Sequence, residues 1–404
     1  MSAADANKII FFTAATHFMI HVYENCFGGI LKDLQNEWGT DYTALGSIGV
    51  PLFFLFGLMA IPGGWLADRI GSKKILLVCL FGAAGASFTA SLTREVAGIH
   101  AMIVLSFLLA ILGVFTGLYH PSGLSFISRG VERRGTAMGI HGVFGNLGLA
   151  IAPFAASALA HAFGWRNAFF VLAFPAAILG TAFLLTRFQP QAGTGKPQTR
   201  MSWRELIPHD TNSSRFPPIL ILYSIAALNG LTYRSILVYL PSYFREELGN
   251  ASFLSLSGMV LASFVTTSVL LLGAAGQWGG GWLVDRTNPE RTYALGYLLS
   301  LPLVLGMGHL GGIALLVSCF LFSAVYFSLQ PMKNTLLAHY ANPKAQGLSF
   351  GFIFFLEFGI GSFGSSLGGV IADRWGLAVI FDFAAALILL MTVLASLIIP
   401  RRTY

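Results

Sequence analysis

His17, His21 and Glu24 stand at spacings of four and three inside an otherwise apolar run from Ile9 to Ile30. On a helix at about 100° per residue His21 and Glu24 lie within roughly 40° of His17, the three stacked over about 10 Å. Two imidazoles and a carboxylate on one face can exchange protons or ligate a metal ion. A second apolar run, 218–243, carries Asn229, Tyr233 and Arg234. The guanidinium fork of Arg234 suits a carboxylate or phosphonate. His120-Pro121 and Gln330-Pro331 place a polar side chain beside a helix-kinking proline, with Lys333 just beyond the second pair. Glu357 lies within GFIFFLEFGIGS. A charge at membrane depth costs about 2.5–3.5 kcal/mol, so each of these groups asks for a reason. Glu24, His17, His21 and Glu357 are the candidate proton sites. Arg234, His120, Tyr233, Asn229, Gln330 and Lys333 are the candidate substrate contacts. Lys333 is expected to snorkel to the interface or to meet an anion, and His141 to be satisfied locally. Asp373 and Asp382 are expected to be solvated near the outer boundary.

These residues need a membrane-embedded frame, and the composition supplies one. The chain has 404 residues, 55% hydrophobic and 10% charged, with mean hydropathy +0.72. Soluble domains carry roughly a quarter charged residues, so a soluble globular protein, a disordered chain and a disulfide scaffold are excluded. Cys26, Cys79 and Cys319 lie inside apolar runs and suit packing. Apolar runs near 9–30, 44–66, 74–92, 99–127, 136–160, 166–187, 218–243, 252–283, 292–308, 312–336, 347–371 and 377–399 predict twelve transmembrane helices. The first run lacks a cleavage pattern and is taken as a span rather than a removed signal. With both termini cytoplasmic, only Lys32, Arg94, Arg166, Arg245 and Arg374 face outward and Arg234 and Lys333 fall within spans. Every other Lys and Arg lies inside, which satisfies the positive-inside rule. Net charge +7 therefore reflects cytoplasmic loops, and no basic stripe for nucleic acid is present.

The halves repeat. GGWLADRIGSKK from Gly63 falls on GGWLVDRTNPER from Gly280. His120-Pro121 falls on Gln330-Pro331, Gly39 on Gly249, Gly164 on Gly376 and Glu24 on Arg234. The expected domains are an N-terminal six-helix bundle (1–188), a cytoplasmic linker (189–216) and a C-terminal six-helix bundle (217–404). The expected fold is an all-α membrane protein of two pseudo-symmetric bundles, with its site between the halves at the bilayer midplane.

Gly64-x-x-x-Asp68-Arg69-x-Gly71-x-Lys73-Lys74, with its reduced copy Gly281-x-x-x-Asp285-Arg286, resembles the signature loop of the major facilitator superfamily. The resemblance covers nearly the whole chain and implies a secondary carrier working by alternating access. In it, Gly64, Asp68, Arg69, Gly71, Lys73, Lys74, Asp285 and Arg286 would form a cytoplasmic gate. A narrower resemblance is to the fosmidomycin-resistance-like branch, through THFMIH (Thr16 to His21), Tyr119-His120-Pro121 and FGNLGLAIAP (Phe144 to Pro153). This chain has His21 where that branch has an acid, and its own acid follows at Glu24.

The expected function is transport of a small anionic or polar organic solute across the cytoplasmic (inner) membrane by a monomer. Coupling to protons is expected, with efflux favoured over uptake. Glu24 and Arg234 are expected to form a gated pair facing each other across the cavity. No nucleotide loop, haem, zinc or flavin spacing stands out, so no cofactor is expected. Two alternatives remain: a divalent-cation carrier using His17, His21 and Glu24, and a membrane sensor that transports nothing. No nucleophile–base set marks an enzyme.

Overall fold

The computed structural model describes residues 3–93, 98–132, 134–188, 218–341 and 346–399. The expected linker and the side chain of Asp68 lie outside the described residues. Among the described residues, fifteen α-helical segments assemble into twelve rods. Nine rods are single helices: α1 (Ala3–Trp38), α4 (Ser72–Ser91), α7 (Arg134–Phe163), α8 (Trp165–Leu185), α9 (Pro218–Leu248), α10 (Gly258–Val284), α11 (Pro289–His309), α12 (Gly312–Tyr340) and α15 (Val379–Ile398).

The other three rods are broken. One joins α2 (Tyr42–Leu58) to α3 (Ala60–Ile70) and one joins α5 (Gly98–Gly117) to α6 (Tyr119–Gly130). The third runs from α13 (Gln346–Phe354) through a π-helical turn, Phe355–Gly359, and a 3-10 turn, Ile360–Ser362, into α14 (Phe363–Trp375). The break before α6 falls three residues ahead of Pro121, as a proline that cannot donate to the preceding turn would produce. α12 runs unbroken through Pro331.

Ten of the twelve rods are apolar enough along their length to cross a membrane on composition alone. α1 and α11 are not among them. In α1 the cause is the polar set His17, His21, Glu24 and Asn25, whose side chains the neighbouring helices bury. Large apolar side chains on the outer faces, such as Ile313, Trp278 and Phe107, stay exposed, as a surface solvated by lipid requires.

One sequence boundary shifts. The run expected as a span from 252 starts as a two-stranded hairpin, Ser252–Phe253 paired with Leu256–Ser257, and α10 begins only at Gly258. Leu254 and Ser255 both have positive φ, the backbone a tight two-residue turn demands.

The internal repeat appears in backbone geometry. Gly39 and Gly249 have φ +58 and +52, and Gly164 and Gly376 have +84 and +92, so each overlaid pair ends a helix in the same left-handed conformation. Arg69 stacks 4.1 Å from the Trp65 ring, and Arg286 stacks 4.4 Å from Trp282, its counterpart.

Candidate functional site

α1 and α9 cross at the centre of the molecule, and their polar residues meet there. Arg234 Nη2 donates to Glu24 Oε1 at 2.5 Å across 210 residues of chain. Glu24 is 0% and Arg234 2% exposed, which places the pair under the cavity rather than on its wall. Phe53 covers the guanidinium at 3.7 Å, and Arg234 Nη1 has no hydrogen-bond partner. The expectation that both residues face an open cavity is thus corrected: α2 packs over them because the rods close tightly around this point. A buried ion pair is retained where its loss would strand a charge, since removing one partner costs about 3–5 kcal/mol.

The other Glu24 oxygen accepts from His21 Nδ1 at 2.7 Å and from Asn25 Nδ2 at 3.3 Å. His21 Nε2 then meets His17 Nε2 at 3.1 Å. His17 Nδ1 donates to the His141 carbonyl at 2.8 Å, and the two rings stack with centroids 4.0 Å apart. His141 is therefore part of the cluster rather than satisfied on its own helix. Tyr119 donates to the Thr13 carbonyl and lies 3.2 Å from His141 Nδ1. His120 enters from α6, with its ring 5.1 and 5.3 Å from those of His17 and His21. A polar chain thus runs from Arg234 through Glu24, His21 and His17 to His141.

A cavity of about 270 Å³ lies beside this chain. His17, His21 and His120 line one wall; Asn229, Tyr233, Gln330, Lys333 and Glu357 line the other, with Tyr293, Tyr297 and Tyr326. Lys333 Nζ reaches both Glu357 oxygens at 2.5 Å, and Asn229 Nδ2 donates to Oε1 at 2.6 Å. This corrects the snorkelling expectation for Lys333: a carboxylate within reach satisfies the ammonium, so it need not seek the interface. Glu357 sits in the π-helical turn, where the widened backbone marks an insertion tolerated for the placement of its side chain. An amide ladder borders the same cavity. Asn146 donates to Gln277, and Gln277 Nε2 donates to Gln330 Oε1 at 2.6 Å, which ties α7 to α10 and α12.

The cavity is sealed at the end of the molecule that carries Gly39 and Gly376. There Asp373, on α14, accepts from Tyr42 N at 2.9 Å and from Thr43 N and Oγ1 at 2.6 Å. A carboxylate on the first free amides of α2 gains from both hydrogen bonding and the helix dipole. Asp373 is exposed, as expected, and is also an interhelical cap. Asp382 is half-exposed and pairs with His309 at 2.8 Å. Deeper along the same seam, Ser365 donates to the Gly46 carbonyl, and α2 and α14 touch backbone to backbone. A methyl added at Gly46 would overlap the Ser365 carbonyl, and one at Gly57 would overlap Gly359.

The signature-loop residues lie at the opposite end. Gly64 packs its Cα side against Pro121, and Gly71, at φ +94, turns the chain from α3 into α4. Lys73 Nζ donates to the carbonyls of Thr186 at 2.7 Å and Leu184 at 3.3 Å, capping the end of α8. Lys74, Asp285 and Arg286 are exposed. Among the described side chains, none of the loop's charges forms an ion pair across the two loops.

The structure thus brings together Glu24, His17, His21 and Arg234 at one locus, and Asn229, Lys333 and Glu357 at another. Tyr233 and Gln330 line the cavity with the second set, and His120 with His17 and His21. Sequence reasoning missed Asn25, Asn146, Gln277 and Asp373. Polar residues within apolar runs flag the first three; Asp373 carries no local signal because its partner is 330 residues away.

Comparison with known proteins gives the family. The model described as Major Facilitator Superfamily matches residues 13–365. The chain is 28% identical over 360 residues to "Multidrug resistance protein MdtG" of Escherichia coli O9:H4 (strain HS), covering 86% of this chain and 83% of that protein. It is 28% identical over 354 residues to the protein of the same name from Citrobacter koseri, covering 83% and 80%. Among solved structures, the inward-open xylose transporter XylE from E. coli superimposes with TM-score 0.77 at 13% identity, covering 98% of this chain and 97% of that one. A bacterial homolog of the human lysosomal transporter Spinster superimposes with TM-score 0.76 at 14% identity, covering 98% and 97%. Transporter relatives along the length of a many-span membrane chain mark a transporter and not an enzyme. The chain belongs to the major facilitator superfamily.

Proposed function

We propose that this protein is a proton-coupled carrier of the inner membrane that exports a small polar or anionic organic solute as a monomer. Both termini are cytoplasmic in this reading, with bundles at 1–188 and 217–404 and the linker 189–216 between them. The seam at Asp373 is then the outer gate, closed, and the cavity faces inward. Export accords with the multidrug-resistance name of the relatives. It also accords with the resemblance of THFMIH and Tyr119-His120-Pro121 to the fosmidomycin-resistance-like branch.

The single observation that carries this reading is the joining of the halves by a buried acid–base pair, Glu24 with Arg234, beside a second pair, Glu357 with Lys333. Outward opening requires α1 and α9 to part, and Glu24 must not be left charged and alone when they do. A proton on Glu24 meets that condition. An anionic group on the substrate, competing for Arg234 or Lys333, meets the matching condition for the cation. Glu357 offers a second protonation site on the cavity wall. Asn229, Tyr233, Gln330 and His120 supply hydrogen bonds and ring faces for the rest of the solute. Asp68, Arg69, Lys73 and Asp285 engage as the inner gate when that end closes.

The test is flux in proteoliposomes under imposed pH gradients, with compounds first chosen by thermal-shift screening of organic anions. The reading predicts flux that reverses with the gradient. Flux indifferent to the gradient across every stabilising compound contradicts proton coupling.

A further inference from the structure

The three histidines of the cavity wall carry a further site. One ring nitrogen of each of His17, His21 and His120 lies within 4.8 Å of the others. All three are buried, at 7–8% exposed, and all three line the cavity. Their hydrogen bonds decide which nitrogens are free. His17 Nδ1 faces a carbonyl oxygen, which only accepts, so Nδ1 carries the hydrogen. His21 Nδ1 faces Glu24, whose other oxygen is held by Arg234, so it too carries the hydrogen. The two Nε2 atoms therefore present lone pairs to each other at 3.1 Å, an arrangement that needs a cation between them. His120 Nε2 is buried without a partner.

We propose that His17, His21 and His120 form a binding site for one nitrogen-preferring divalent transition-metal ion, of which Zn²⁺ is the type. The outer bonds follow the pattern of metal-binding histidines: each distal ring N–H is fixed by a carbonyl or a carboxylate, which sets the tautomer and aims the lone pair. Zinc–nitrogen bonds of about 2.0–2.1 Å in a tetrahedron put ligands roughly 3.4 Å apart, so His17 and His21 are already at ligand spacing. His120, with its nitrogen within 4.8 Å of theirs, has at most about 1.4 Å to close to reach that spacing. The fourth position opens to the cavity and would take water or a donor atom of the solute. Imidazole donors favour zinc, nickel, cobalt and copper, and disfavour magnesium and calcium. Glu24 is not a ligand here, unlike in the sequence-based alternative of a cation carrier, because Arg234 and His21 occupy its oxygens. The site lies within α1 and α6 and stands whether or not the transport reading does.

The experiment is calorimetric titration of metal-stripped, full-length protein with ZnCl₂ at fixed pH, with MgCl₂ as the control and the Co²⁺ visible spectrum as a reporter of tetrahedral nitrogen ligation. One Zn²⁺ per chain with micromolar or tighter affinity is expected, without magnesium binding. His120→Phe, which places a ring among rings and removes no hydrogen bond, is expected to keep the thermal unfolding midpoint and weaken Zn²⁺ at least tenfold. His21→Gln is expected to weaken it likewise. Absence of stoichiometric Zn²⁺ binding overturns the site and leaves a proton as the cation between His17 and His21. Unchanged affinity in the folded His120→Phe protein also overturns it.

Discussion

Glu24 and Arg234 share a hydrogen bond of 2.5 Å although they belong to the first and seventh rods, and neither reaches solvent. The bond holds α1 to α9 at the molecule's centre, with Phe53 stacked on the cation. Its energetic signature is that of a buried pair rather than a surface bridge. Glu24→Gln or Arg234→Gln alone is expected to cost about 3–5 kcal/mol, because each strands the remaining charge. The double variant is expected to cost clearly less than the sum of the two, read from thermal or denaturant unfolding in detergent. Additive losses would mean that the two side chains do not act as a pair.

Asp373 closes one end of the cavity by capping α2 across the interface. Asp373→Ala removes three hydrogen bonds to one helix end, worth about 1 kcal/mol on the scale of helix caps. That shifts a two-state equilibrium roughly fivefold toward opening at this end. Ser47 faces Ser366 across the same seam at 2.8 Å, and the neighbouring Ser365 is buried against Gly46, so a Ser365→Cys reporter in a background free of Cys26, Cys79 and Cys319 measures it. Maleimide labelling should accelerate several-fold in Asp373→Ala. An unchanged rate would remove Asp373 from the gate.

The glycines of this seam predict an opposite route to the same state. Gly57→Val places a branched side chain on the Gly359 backbone, where no side chain can give way. It should hold the Ser47 end apart, raise labelling to the level of the open state and abolish turnover, while the protein still inserts. Normal turnover with the seam still occluded would show that its closure does not depend on a bare backbone at Gly57.

Glu357 and Lys333 predict a split between driven and passive flux. Glu357→Gln should lose accumulation driven by a pH gradient while retaining solute exchange, since Gln keeps the bond to Asn229 but binds no proton. Lys333 is then left unpaired, and Lys333→Met in addition should restore stability. Gradient-driven accumulation at the normal rate in Glu357→Gln would assign coupling elsewhere.

Much of this was legible in the sequence, for physical reasons that also mark the limit. Length and apolarity give the twelve rods, because the bilayer sets both. The twin GGWL-x-DR segments give the repeat, and the repeat gives Glu24 opposite Arg234, because symmetry-related positions on α1 and α9 share a height. Lys333 with Glu357, and His120 with His17 and His21, were not legible as partners. Those pairings depend on how each rod is rotated, and in Glu357's case on a π-helical turn that spacing arguments assume away. The exposure of Asp373 was legible, but its capping role was not, because two of its three donors are backbone amides, which carry no sequence label.

The central claim is that Glu24 and Arg234 exchange partners with a proton and a solute. The most direct measurement is pH-gradient-driven flux in proteoliposomes of the Glu24→Gln, Arg234→Gln double variant, with a compound that thermally stabilises the wild type. The account predicts a folded protein that neither binds the compound nor couples its movement to protons. Wild-type binding and gradient-driven flux in that variant would contradict it.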